Sequence, residues 1–169
     1  MAQPKVEPEP WLRGRLAELP ALPRAVLHAL ELAREDVERW SDGLSDAELN
    51  ARPDGLPSVA HQVHHIARSI DRLLTYAEGS QLSSEQMAAL KSEADVVTRS
   101  ELFTELNSSL DGAVRRLLVF TASMFEEPRA VGRKQLPTTV GGLLVHVADH
   151  TQRHVGQLVT TAKVILAHR

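Results

Sequence analysis

Between Val59 and Ala77 the apolar side chains recur at steps of three and four: Val59, Val63, Ile66, Ile70, Leu73 and Ala77. That period lines them along one stripe of an α-helix. A helix with a single apolar stripe has to bury it against another packed layer. Three further long segments carry the same kind of pattern, and strand-like alternation is missing, so the partners are other helices.

Local signals set approximate bounds. The first long helix is expected from Pro23, a residue suited to a first helical turn, to Trp40, with Val26, Leu27, Leu30, Leu32, Ala33 and Val37 facing inward. Ser45-Asp-Ala-Glu48 reads as a capping box that opens a short helical turn, closed by the Pro53-Asp-Gly55 connector. The second long helix runs from Pro57 to Glu78, and Gly79 stops it. A short helix, Ser84 to Glu93, follows a second capping box at Ser83–Gln86. Thr98-Arg-Ser-Glu101 opens the third long helix, expected to reach Met124. Glu126 to Pro137 breaks the pattern as a loop, and the fourth long helix spans Thr139 to Ala167.

These elements predict an all-α fold: an antiparallel four-helix bundle with an additional short helix between the second and third long helices. A chain of 169 residues suits one domain over residues 1–169. Residues 1–12 form an extended, proline-rich N-terminal segment, anchored by Trp11 and Leu12. The aromatic content of 4% fits a core of Leu, Val and Ala.

Composition also narrows function. A net charge of −3 gives no electrostatic footprint for DNA or RNA. Apolar runs fall short of the ~20 residues that span a bilayer. The start, MAQPKVEPEPW, lacks the apolar core of a signal peptide, so a cytoplasmic protein is expected. With no cysteine, the chain can form neither a disulfide nor a protein thiolate. Any thiol chemistry must use a thiol that arrives on a small molecule.

The histidines carry the chemical information. Random placement of 8 histidines in 169 residues yields ~0.4 pairs at i,i+4. Three such pairs occur, His61/His65, His146/His150 and His150/His154, confined to two segments. Imidazoles four apart share a helix face and can grip one ion. On the fourth long helix His154 lies about 60–70° from the centre of the apolar stripe, His150 about 110° and His146 about 150°. On the second, His65 lies about 120° away, His64 about 140° and His61 about 160°. His65, His150 and His154 are thus placed to build a three-histidine metal site at the bundle's edge, with a coordination position open to water or substrate. His61, His64 and His146 read as solvated or supporting residues, and His28 and His168 as incidental. The run His150-Thr-Gln-Arg-His154 is not a metalloprotease motif, because the position of the general-base Glu is Thr151.

Two stretches resemble a known family. Ser58-Val-Ala-His-Gln-Val-His-His65-Ile66-Ala67 is similar to the "S-[IV]-x-x-x-h-x-H-h-A" stretch of the DinB-like (DinB/YfiT) superfamily. Leu144-Val-His146-Val-Ala-Asp-His150-Thr-Gln-Arg-His154-Val-Gly156-Gln157 resembles its "H-h-x-x-H-E-x-x-H-x-G-Q" signature. The order of the helices agrees over nearly the whole chain. The resemblance implies a four-helix bundle holding a divalent metal on His65, His150 and His154. It also implies thiol-dependent transferase or isomerase activity with bacillithiol, mycothiol or glutathione. The chain departs at Thr151, where the family often has an acidic residue, which weakens the expected carboxylate support of a ligand imidazole. Gly156 has a plain packing role, and Gln157 either orients a ligand or lies on the rim.

The leading expectation is a metal-dependent thiol S-transferase. A divalent ion, zinc with nickel as the alternative, binds the sulfur of a low-molecular-weight thiol and lowers its pKa for attack on an electrophile. Asp149 and Arg153 are the candidates for proton transfer. The partners are then a small-molecule thiol and an electrophile, with no nucleic acid and no membrane. The rival expectation is a non-enzymatic metal-binding or stress-responsive bundle, with a homodimer among the possible assemblies.

Overall fold

A computed structural model of the chain describes residues 7–169. Its long helices are α1 (Ala21–Ser41), α3 (Val59–Ala77), α5 (Arg99–Leu117) and α6 (Val140–Ala167), with the short helices α2 (Asp46–Asn50) and α4 (Ser84–Ala89) in the connectors. Each expected cap forms. Ser45, Ser83 and Thr98 accept from the backbone N–H three residues on, and Glu48, Gln86 and Glu101 reach back to complete three capping boxes. Ser58 caps α3 and Thr139 caps α6 in the simpler one-way manner. Gly79, at φ +84°, ends α3 in a Schellman motif: Ser80 N–H donates to the Thr75 carbonyl and Gly79 N–H to that of Tyr76.

Three segments differ from the sequence expectation. Helix α5 stops at Leu117, seven residues before Met124. No Gly or Pro marks this end. Val119, Phe120 and Thr121 are weak helix formers, and Phe120 leaves the helix to bury itself at the end of the bundle. Residues 126–137 are not a plain loop. They contain most of an antiparallel hairpin of β1 (Pro128–Val131) and β2 (Leu136–Thr139), in which Pro128 faces Thr139 and Val131 faces Leu136. Both strands contain proline and neither has a fully buried face, so the usual alternation is missing. The hairpin seats one end of the bundle, since Arg129 Nε donates to the Ala77 carbonyl at 2.7 Å. Finally, Trp11 and Leu12 are exposed rather than buried against the bundle. Pro10 is buried instead, and Arg13 pairs with Glu31 and Glu35 of α1. Residues 1–6 of the expected extended segment lie outside the described residues.

The four long helices enclose one core. Helix α6 packs against α3 and α1, and α5 packs against α3 and less closely against α1. Side-chain pairings give their directions. Pro57, Gln62 and His65 meet Thr161, Gln157 and His150, so α3 and α6 are antiparallel. Arg34 pairs with Asp111, and Arg99 bonds the Ser41 carbonyl, so α1 and α5 are antiparallel too. His64 meets Glu105 and Asp71 meets Arg116, so α3 and α5 run the same way. Ala29 meets Gln152 and Trp40 meets Lys163, so α1 and α6 also run the same way. The consecutive helices α3 and α5 run parallel, which requires a long return connection, and the segment carrying α4 supplies it.

The stripe on α3 buries Val59, Val63, Ile66, Ile70 and Leu74 almost completely. Leu74 takes the central place expected of Leu73, which stays half-buried. Each such side chain stabilises the fold by ~1.5–3 kcal/mol relative to exposure. Among the described residues no helix is long and apolar enough to cross a membrane.

Candidate metal centre

The antiparallel contact of α3 with α6 creates the site. Running in opposite directions, the two helices set position 65 beside positions 150 and 154. One nitrogen from each of His65, His150 and His154 lies within 4.8 Å of the other two. The ring centroids are 4.3 Å apart for His65–His154, 4.4 Å for His150–His154 and 5.0 Å for His65–His150. All three rings are half-buried at the bundle's edge, as the helical angles predict.

Hydrogen bonding decides which nitrogens are offered. Nδ1 of His65 lies 2.7 Å from Oε2 of Glu93. Burial alone would raise the Glu93 carboxyl, but hydrogen bonds from His65 and Arg72 outweigh it and hold it at about 2. An ionised carboxylate only accepts, so Nδ1–H of His65 is the donor and Nε2 points to the cluster. His154 repeats the logic with an amide: its Nδ1–H donates to Oε1 of Gln62 at 2.7 Å, and Gln62 Nε2 donates to Oε1 of Gln157 at 3.0 Å. Burial and the neighbouring imidazoles lower His150 and His154 to about 4, so both are neutral at pH 7, as metal ligands must be.

The donor set fits a borderline divalent ion such as zinc or nickel, with three imidazoles and a fourth position left open. Nε2 of His65 and Nε2 of His150 are 2.9 Å apart. Tetrahedral zinc with bonds near 2.1 Å places ligand nitrogens roughly 3.4 Å apart, so this pair would open by about half an ångström. Nδ1 of His150 is buried without a hydrogen-bond partner among the described residues. Support is thus complete for two rings and missing for the third.

The family model of the DinB superfamily matches residues 29–158, a span that includes all three histidines. The chain belongs to the DinB superfamily. No curated protein matches it. In this DinB-superfamily bundle the motif positions and the spatial cluster name the same three residues.

The remaining candidates are placed as follows. His61 stacks on His65 at 6.1 Å, and its Nδ1 meets the Glu93 carbonyl oxygen at 3.1 Å. His146 is partly exposed and paired with Asp149 at 2.9 Å. His64 departs from the solvated reading. It is buried, with Nδ1 2.7 Å from Oε2 of Glu105, because α5 covers the flank of α3 opposite α6. His28 is buried as well, and its Nε2 has no partner among the described residues. Asp149 and Arg153 are exposed and form a weak pair at 3.6 Å. Thr151 faces the core and contributes no carboxylate.

Gln62, Arg72 and Glu93 were not singled out in the sequence. Gln62 carried a signal, a polar residue three positions before His65 and beside the apolar line. Glu93 carried none, because it reaches the site from a connector.

Proposed function

We propose that His65, His150 and His154 hold a divalent metal ion, zinc or alternatively nickel, and that the protein is a thiol-dependent S-transferase. One observation carries this reading: the proton-bearing Nδ1 atoms of His65 and His154 are tied back to Glu93 and Gln62, which leaves Nε2 lone pairs converging from two helices. A bound divalent ion at that point would stabilise the thiolate of a low-molecular-weight thiol. Glu93 and Gln62 orient the rings of His65 and His154, and all three ligand rings stay half-buried, within reach of solvent. In the transfer, sulfur forms a bond to the electrophilic carbon, the thiol proton passes to solvent, and the leaving group departs with its electron pair.

A second reading, metal binding without catalysis, has its own support. Glu93, among the described residues the one carboxylate hydrogen-bonded to a ligand ring, is engaged by His65 and Arg72 and held at about 2, so it does not take a substrate proton at neutral pH. Asp149 is paired with His146. One experiment separates the readings. Protein purified without nickel affinity is analysed for metal, then incubated with a thiol panel and monochlorobimane. Metal-dependent loss of thiol that disappears in His154→Ala supports the transferase, and bound metal without thiol consumption supports the second reading.

A further inference from the structure

The segment between α3 and α5 adheres to the bundle in an unusual way. Helix α4 and the 3-10 turn that follows it, Leu90–Ser92, bury none of their own residues completely, and Met87 and Leu90 are more than a third exposed. Apolar burial therefore contributes little to holding α4 and this turn down. Polar contacts do it instead. Arg68 Nη1 donates to the Ala89 carbonyl at 2.9 Å and to Ser92 Oγ at 3.1 Å. Arg72 Nη1 donates to Oε1 of Glu93 at 2.9 Å, His65 Nδ1–H to its Oε2 at 2.7 Å, and His61 Nδ1 meets its carbonyl oxygen at 3.1 Å. Positions 61, 65, 68 and 72 are four, three and four apart, so one polar face of α3 receives the stretch from Ala89 to Glu93.

Glu93 is the centre of that contact. It is the one buried residue between Leu82 and Leu102, and its two carboxylate oxygens are divided between a cation, Arg72, and a candidate metal ligand, His65. The same imidazole thus faces the cluster with Nε2 and the connector with Nδ1. Fixing the ring at one nitrogen favours the hydrogen bond at the other, because the tautomer and the ring plane serve both. Linkage makes the effect reciprocal: a docked connector tightens the metal, and the metal tightens the connector.

We infer that Glu93 is a positioning residue that couples metal binding at His65 to the docking of the α4 connector. The inference rests on the metal site of the proposed function and adds a residue and a responsive segment to it. Glu93 gives a carboxylate to a ligand imidazole, which Thr151 does not, and it does so from a separate part of the chain.

The test uses full-length protein, zinc chloride and a chromophoric chelator as competitor. Glu93→Gln keeps the shape of the side chain and removes its charge; it is expected to weaken zinc binding ~10–100-fold. Arg72→Met, which retains the aliphatic stem, gives a smaller loss, and Asp95→Asn, an exposed change in the same connector, gives none. Hydrogen exchange supplies a readout that a merely structural role would not move. In wild type, zinc slows exchange over residues 84–98, whereas in Glu93→Gln the segment exchanges at the same rate with and without zinc. Wild type that binds zinc beside a Glu93→Gln variant that is folded, equally tight and equally protected by the metal overturns this inference alone. Wild type that binds no zinc overturns the proposed function and this inference together.

Discussion

Oε1 of Gln62 accepts from Nδ1–H of His154 at 2.7 Å, in an interior position where the glutamine is almost wholly shielded from water. The second half of the amide is held by Gln157, so the glutamine cannot rotate without losing two hydrogen bonds. Replacing Gln62 by Leu keeps the volume near and removes the acceptor. The expected outcome is zinc affinity reduced ~10–100-fold, read by chelator competition, with the helical content unchanged by circular dichroism.

The metal-free protein should lose stability as pH falls through the mildly acidic range. His150 and His154 are lowered to about 4, first by burial and then by neighbouring charges. In the unfolded chain each returns to about 6.5. Below that value the unfolded state binds protons that the folded state refuses, so stability declines from about pH 6.5 until both imidazoles charge near 4. Urea midpoints measured between pH 7.5 and 4 should fall in wild type, and a His150→Asn/His154→Asn double variant should show a flatter profile. Identical slopes would refute the assignment.

Glu105 governs a separate, more acidic range. Burial would raise its carboxyl, yet hydrogen bonds from His64 and Arg68 outweigh that and hold it at about 2. Its contribution is complete above the ordinary carboxylate value of about 4.3 and is lost as pH falls toward 2. Glu105→Ala also leaves the buried Nδ1 of His64 without its acceptor, which should cost about 1–3 kcal/mol at neutral pH. Equilibrium urea unfolding checks the magnitude.

Core and surface leucines should respond differently. Leu74 is fully buried on α3, and Leu74→Ala should destabilise the fold by ~2–5 kcal/mol through lost transfer energy and a residual cavity. Leu136 on the hairpin is 58% exposed, and Leu136→Ala should stay within ~0.5 kcal/mol. Denaturant midpoints of the two variants give the comparison.

The long helices, their caps and the paired histidines of α6 were legible in the linear chain because each depends on neighbours within a turn or two. A Ser, Thr or Gly at a helix end acts on backbone groups three to five residues away, and an imidazole at 150 shares a face with one at 154 whatever surrounds them. The end of α5 and the hairpin were not legible. Phe120 leaves its helix for a place that only the assembled bundle provides, and proline-bearing strands with no fully buried face have no period to read.

The candidate site divides along the same line. Its ligand types, their spacing on each helix and their position at the border of the apolar stripe belong to local sequence. Which nitrogen the His65 and His154 rings present is a tertiary matter. That choice is made by Glu93, 28 residues beyond His65, and by Gln62, 92 residues before His154. Helical periodicity carries information over a few turns, whereas a tautomer is set by whichever acceptor the packed chain brings within hydrogen-bonding distance.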